Sequence, residues 1–144
     1  MLSRFTDLCA TAAVIQCTAD AVAQGLVASA HDCADGGIAV ALAECCIAGG
    51  RGASVALAAG RRPRADELLF GEGVGRILVS ASPSRLPALL RLAERLAVPV
   101  QVLGTVSGER LIVGVDGDGA RGPWIDASVA DLARARSSEE GAPR

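Results

Sequence analysis

The chain has 144 residues and a net charge of −2, and all 14 of its basic residues are arginines. A chain of this length forms one domain with its own core, so we expect residues 1–144 to be a single domain whose core lies at about residues 12–136. The missing lysine excludes a P-loop or Schiff-base lysine, the lack of clustered positive charge argues against nucleic-acid binding, and no apolar run reaches the roughly 20 residues of a membrane span.

Hydrophobic periodicity predicts helices and strands that alternate along the chain. Helices are expected at residues 1–26, 37–48, 65–70, 84–96 and 125–136. Strands are expected at residues 27–31, 53–57, 76–82, 98–106 and 110–115, the third of them buried. The last two strands flank Ser107-Gly108-Glu109, a spacing typical of a short-loop hairpin. Loops are expected at residues 58–64 and 116–123, and disorder at residues 137–144.

This alternation predicts an α/β fold in which a mixed sheet has helices packed on one side. Aromatic residues make up only 2% of the chain, whereas 51% of its residues are hydrophobic. The core must therefore be built from alanine, valine, leucine and isoleucine, with Phe5, Phe70 and Trp124 as its large rings.

The cysteines indicate a reducing compartment. Their number is odd and no C-x-x-C spacing occurs, so the sequence supports neither a disulfide framework nor a zinc site. No cleavable leader is recognisable at the N-terminus. We expect a cytoplasmic protein whose thiols are free and mostly serve as small core residues. These cysteines are Cys9, Cys17, Cys33, Cys45 and Cys46.

The most informative stretch is residues 29–44, SAHDCADGGIAVALAE, which joins a strand to a helix. Asp35 is the expected N-cap of that helix, and Gly36 and Gly37 let the backbone turn sharply and leave its first N–H groups uncovered. A helix N-terminus of this kind suits phosphate, and Asp32 beside it suits the metal that accompanies phosphate. The alternative is an Asp-capped helix that follows a Gly-Gly turn and binds nothing.

Three further side chains belong to the same hypothesis. His31 is the only histidine of the chain, and we expect it to be a hydrogen-bonded structural residue beside the turn. Glu72 lies in the loop that enters the strand at residues 76–82, and it is a candidate for nucleotide or phosphate binding together with Arg76. Arg76 is expected to pair with Glu72 or Asp32.

Three stretches of the chain, in this order, carry a resemblance to a known enzyme family. They are residues 30–50 (AHDCADGGIAVALAECCIAGG), 69–80 (LFGEGVGRILVS) and 102–106 (VLGTV). All three resemble blocks in the C-terminal lobe of the phosphoribosylformylglycinamidine synthase family, and the resemblance covers roughly residues 22–132. It implies the C-terminal fold that aminoimidazole ribonucleotide (AIR) synthetase and its relatives share.

The resemblance also implies a function. The family converts formylglycinamide ribonucleotide, with ATP and with ammonia from glutamine, to formylglycinamidine ribonucleotide in purine biosynthesis. Implied cofactors are ATP or ADP and Mg²⁺; implied partners are the remaining lobes of the synthase or a homologous lobe, its glutaminase subunit and a second copy of this chain. The chain lacks the family's catalytic-histidine region, its Gly-Asn-x-Ser segment and the glutaminase triad, so we expect it to be inactive alone. The implied site residues are Asp32 for the metal and Asp35, Gly36, Gly37, Glu72 and Arg76 for the nucleotide.

The chain departs from the family pattern at two places. Ala34 stands where the family has serine, and Gly73 and Val74 stand where it has Ser-Gln, so two hydroxyl groups and an amide are lost. These losses favour a lobe that holds a nucleotide without consuming it. Two alternatives stay open: a lobe of a related enzyme (AIR synthetase, selenophosphate synthetase or a hydrogenase maturation factor), and a non-catalytic nucleotide-binding or assembly module.

Overall fold

The structure, a computed structural model, describes residues 8–58, 64–116 and 122–140. Within these ranges the chain alternates helices and strands, which confirms the predicted α/β class. The elements are α1 (Leu8–Ala23), β1 (Ser29–Asp32), α2 (Gly37–Gly49), β2 (Ala53–Ala58), α3 (Ala65–Phe70), β3 (Ile77–Ser80), α4 (Leu86–Arg95), β4 (Gly104–Val106), β5 (Arg110–Asp116), β6 (Ile125–Ser128) and α5 (Val129–Glu140).

The strands form a four-stranded mixed sheet and a separate antiparallel pair. The order in the larger sheet is β4-β2-β5-β6, in which β2 and β5 run parallel and the other neighbours run antiparallel. The smaller sheet pairs β1 with β3, so that Ser29 lies opposite Ser80 and Asp32 lies opposite Ile77. The predicted mixed sheet is therefore confirmed, but β3 is half-buried rather than fully buried.

The predicted hairpin at residues 98–115 is wrong. Only Gly104–Val106 of the first segment is a strand, and β2 lies between it and β5. The connection crosses the start of β2, where the Gly52 N–H donates to the Gly108 carbonyl (2.8 Å) and the Ser107 N–H donates to the Gly52 carbonyl (2.9 Å). The turn residues correctly indicate a reversal of direction, but a turn signal does not say which strand lies next to which.

The last predicted helix also needs correction, because residues 125–128 form β6. Ile125 lies opposite Val113 of β5, and the helix begins only at Val129. The Ser128 hydroxyl accepts the Asp131 N–H (3.1 Å), as a helix N-cap does, and it donates to the Asp131 carboxylate (2.6 Å). Residues 137–140, expected to be disordered, continue α5.

The other predicted bounds differ from the observed ones by a few residues. The first helix ends at Ala23 instead of residue 26, and α4 is shorter than predicted by two residues at its start and one at its end. Residues 1–7, 59–63, 117–121 and 141–144, which include parts of the first helix, both predicted loops and the C-terminal end, lie outside the described residues.

Two hydrophobic clusters hold these elements together. In the first, α2, α3 and α5 cover one face of the larger sheet, where Leu111 and Val113 are the most deeply buried side chains. In the second, α1 packs on α4 and on the smaller sheet, through Cys17, Ala21, Leu89, Leu92 and Ala93. Many of the buried side chains are alanines, which let the helices approach closely. No helix in the described part of the chain is both long and apolar enough to cross a membrane.

The strand crossing at Gly52 makes a stability prediction. A Cβ atom at this position would lie 2.2 Å from the Arg110 carbonyl oxygen and 2.4 Å from the Arg110 nitrogen. Because both are backbone atoms, Gly52→Ala should lower the free energy of unfolding by about 2 kcal/mol or more. The matched control is Gly49→Ala, where a Cβ meets nothing within 4 Å, and it should be neutral or stabilising by about 0.5–1 kcal/mol. Urea denaturation measures both, and equal midpoints for the two variants would contradict the crossing.

Candidate functional site

The predicted turn joins β1 to α2, and its glycines adopt left-handed backbone angles. Gly36 has φ 74° and Gly37 has φ 71°. The predicted N-cap is wrong: Gly36, not Asp35, is the cap residue of α2, and it makes no side-chain cap hydrogen bond. Instead the Glu72 carboxylate accepts the Gly36 N–H at 3.3 Å. The acid that meets the helix N-terminus therefore comes from the loop after α3, and Asp35 is exposed.

Gly37 also has a packing reason to be glycine. A Cβ atom there would lie 2.7 Å from the Leu69 carbonyl oxygen and 2.8 Å from the Phe70 Cα, so the first turn of α2 lies directly against the end of α3. Phe70, whose backbone makes this contact, has an exposed side chain. The Gly-Gly pair is thus required by the fold whether or not the turn binds a ligand.

Asp32 is the last residue of β1, and its side chain is 72% exposed. Across residues 8–58, 64–116 and 122–140, no three His, Cys, Asp or Glu side chains converge as a metal site would require. Asp32 is therefore a single carboxylate at the edge of the turn. That arrangement fits Mg²⁺ held by one protein carboxylate, several waters and the phosphates of a nucleotide.

His31 contacts oxygen atoms through both ring nitrogens. Nδ1 lies 2.6 Å from the carbonyl oxygen of Asp32, and Nε2 lies 2.9 Å from the Glu44 carboxylate on α2. The other oxygen of Glu44 lies 3.3 Å from the Arg136 guanidinium on α5. The side chains of His31 and Glu44 are each about one-third exposed.

Arg76 does not form the ion pair expected of it. Among the described residues it pairs with neither Glu72 nor Asp32, and its Nη2 donates to the Gly71 carbonyl. Its Nε is buried and has no hydrogen-bond partner. The guanidinium lies against Gly73, where a Cβ would be 3.4 Å from Nε. The glycine at position 73 thus leaves room for the arginine beside the loop.

The thiols near the turn are not activated. Burial raises the pKa of Cys33, and the opposing effect of the Arg76 guanidinium is smaller. Burial is also the main reason that the pKa values of Cys45 and Cys46 are raised. None of the five cysteines, all of which lie in the described part of the chain, forms a disulfide, as predicted, and Cys17, Cys33 and Cys46 are buried. Because their pKa values are raised, the thiols of Cys33, Cys45 and Cys46 are protonated at neutral pH and do not supply a nucleophile.

The comparison with protein families gives a single clear answer. Residues 4–116 match the family described as AIR synthase related protein, C-terminal domain. The chain belongs to this family. The predicted resemblance is therefore confirmed.

Individual relatives of this C-terminal domain agree. The phosphoribosylformylglycinamidine synthase subunit PurL of Synechococcus sp. (strain JA-3-3Ab) is 48% identical over 115 residues, which are 77% of this chain and 14% of the relative. The structure described as PurLQS from Thermotoga maritima superposes with a TM-score of 0.77 at 25% identity, covering 90% of this chain and 22% of that chain. T. maritima PurL complexed with ATP superposes with a TM-score of 0.71 at 28% identity, covering 84% of this chain and 21% of that chain. The chain thus spans about one-seventh of the curated relative.

Sequence reasoning on this C-terminal domain named Glu72 as a candidate at the turn but missed Glu44, which contacts His31, and Arg136, which contacts Glu44. Arg136 lies on α5, and no local spacing relates it to residues 31–37. Glu44 ends the SAHDCADGGIAVALAE stretch, so its position in the motif was the one available signal.

The close packing at Gly37 can be tested by substitution. Gly37→Ala should lower the free energy of unfolding by about 2–4 kcal/mol, because it adds a clash with α3 to the cost of a left-handed alanine. Gly50→Ala is the matched control, since Gly50 has φ 61° but open space around its Cβ position, and it should cost only about 1 kcal/mol. Thermal and urea denaturation measure both. An equal loss in the two variants would mean that α2 does not lie against α3 as described.

Proposed function

We propose that this chain is the C-terminal lobe of a phosphoribosylformylglycinamidine synthase and works as part of that enzyme in the cytoplasm. The enzyme would convert formylglycinamide ribonucleotide, ATP and ammonia to formylglycinamidine ribonucleotide in purine biosynthesis. The observation that carries the proposal is the match of residues 4–116 to the AIR-synthase-related C-terminal domain, together with 48% identity to a PurL subunit. AIR synthetase and other relatives with the same lobe are the alternative.

The lobe supplies binding groups and not a complete reaction centre. The single histidine contacts Glu44 and the backbone of Asp32, and the thiols around the turn have raised pKa values. Neither type of group is free to act as a nucleophile or as a general base. We infer that the chain does not turn over alone and that the other lobes and a glutaminase subunit supply the catalytic residues and the ammonia.

Within the lobe, the turn at residues 32–37 is the proposed nucleotide site. Gly36 and Gly37 would bind phosphate oxygens through their N–H groups, Asp32 would hold Mg²⁺, and Asp35, Glu72 and Arg76 would line the site. Because Glu72 now accepts the Gly36 N–H, a phosphate must replace it there. A solved relative is described as complexed with ATP, which supports a nucleotide as the ligand. Bound magnesium would offset the repulsion between the phosphates and the carboxylates of Asp32 and Glu72.

Titration of the purified chain with ADP, with and without Mg²⁺, tests this site. We expect binding that needs Mg²⁺ and that weakens about tenfold in Asp32→Asn, because the variant loses the metal-binding charge. Asp20→Asn is the control, since Asp20 lies on α1 and accepts a hydrogen bond from Gln16, and it should bind like the wild type. Binding without metal, or equal affinity in Asp32→Asn, would mean that the turn only starts a helix.

The outer face of α1 supports a role in assembly. An open groove of about 500 Å³ runs along it, and Ile15 and Val22 in the groove are 59% and 56% exposed. The opposite face of α1 buries Cys17 and Ala21. A helix that is apolar on both faces is normally covered on both. We propose that another lobe of the synthase covers the groove, because the PurL relative is about seven times as long as the part that this chain matches.

Without that lobe, the groove should drive self-association of the isolated chain. Ile77 of β3 also lines the groove, and Val100, Val102 and Val106 add exposed apolar surface elsewhere.

Light scattering at increasing concentration tests this assembly surface. The wild type should form dimers or larger species, and Val22→Asp should shift it to monomer because it places a charge in an apolar contact. Leu90→Asp, at a 38% exposed leucine on α4, is the control and should leave the association unchanged. A wild-type chain that remains a monodisperse monomer at high concentration would contradict the proposed surface.

A further inference from the structure

We propose that Glu44 and Arg136, acting through His31, position Asp32. These three side chains, called the clamp below, join the end of β1 to α2 and α5. The inference rests on the proposed function, in which Asp32 is the metal ligand. Glu44 and Arg136 would be positioning residues that touch neither metal nor nucleotide.

The contacts of the clamp run without interruption from Arg136 to Asp32. The Arg136 guanidinium lies 3.3 Å from one oxygen of Glu44, and the other oxygen of Glu44 lies 2.9 Å from His31 Nε2. His31 Nδ1 lies 2.6 Å from the carbonyl oxygen of Asp32 and 3.8 Å from its carboxylate. The ring therefore lies at hydrogen-bond distance from an oxygen of α2 and from an oxygen at the end of β1.

The clamp differs from the surface ion pairs of this chain. Arg64 and Asp66, for example, are two residues apart with side chains 78% and 58% exposed, and such pairs contribute little to stability. The side chains of His31 and Glu44 are two-thirds buried, and the clamp connects β1 and α2 to α5, which is distant from both in sequence. A connection of this kind restricts the position of the last residue of β1 relative to α2.

Asp32 has few other supports. Its side chain is 72% exposed, and among the described residues its one ion-pair contact is with His31. Groups that do not bind a metal themselves but fix the orientation of a ligand affect metal affinity strongly. The clamp supplies this type of support, because it holds the Asp32 peptide through its carbonyl oxygen and places the imidazole ring beside the carboxylate.

Variants of Glu44 in the full chain test the clamp. Glu44→Ala removes it, Glu44→Gln keeps an acceptor for His31, and Glu94→Ala makes the same change at an exposed glutamate of α4. If Glu44→Ala fails to fold, Arg136→Gln is used instead, because it removes the ion pair between Arg136 and Glu44. Two properties are measured: amide hydrogen exchange at residues 32–37, and ADP affinity with and without Mg²⁺.

We expect Glu44→Ala to speed exchange at residues 32–37 and to weaken Mg²⁺-dependent ADP binding about tenfold, with Glu44→Gln intermediate and Glu94→Ala like the wild type. Unchanged exchange in Glu44→Ala would overturn the clamp, whatever the ligand data show. An equal loss of ADP affinity with and without Mg²⁺ would overturn its link to Asp32. If the wild type itself shows no Mg²⁺-dependent binding, the proposed function and the ligand role of Asp32 both fall, and the exchange data alone decide whether the clamp orders the turn.

Discussion

The close approach of α2 to the end of α3 is the contact on which the rest of the structure depends. It exists because Gly37 has no side chain, so that backbone meets backbone at Leu69 and Phe70. From this position α2 also contacts α5, β1, β3 and β5, and it supplies Leu42 and Cys46 to the first core. The same helix begins at the candidate site. The packing of the core and the shape of the turn therefore both depend on Gly37.

The sequence alone was sufficient to predict those elements that are determined by local interactions. The bounds of α2 and α3 were predicted to within one residue, and the turn at residues 32–37 was predicted from its glycines. Failures occur where an element is defined by a distant partner. Ile125 has helical neighbours in sequence but pairs with Val113 of β5, and the short strand Gly104–Val106 pairs with β2 instead of the strand that follows it. Periodicity contains no information on either pairing.

The same distinction between local and distant interactions applies to the candidate site. Asp32, Gly36 and Gly37 could be identified because a carboxylate and two glycines between a strand and a helix have a local explanation. Glu72 and Arg76 were also named as candidates, but the contacts that they make could not be predicted. Local rules make Asp35 the N-cap, but Gly36 is the cap residue, and its N–H donates to Glu72, which the loop after α3 brings to the turn. Arg76 lies within reach of the loop carbonyl at Gly71 and donates there. Competition between local and distant partners decided each case.

The balance of charge at the turn explains why a bound phosphate would need a metal. The N-terminus of α2 contributes about 0.3–1 kcal/mol toward an anion. Asp32 lies at the start of the turn and Glu72 contacts the Gly36 N–H. A unit negative charge about 4 Å from each would be opposed by roughly 1 kcal/mol per carboxylate even in water. The repulsion therefore equals or exceeds the attraction for a free phosphate. A divalent cation between Asp32 and the phosphate would replace the repulsion between them by an attraction of each to the metal. Metal and nucleotide would therefore bind together or not at all.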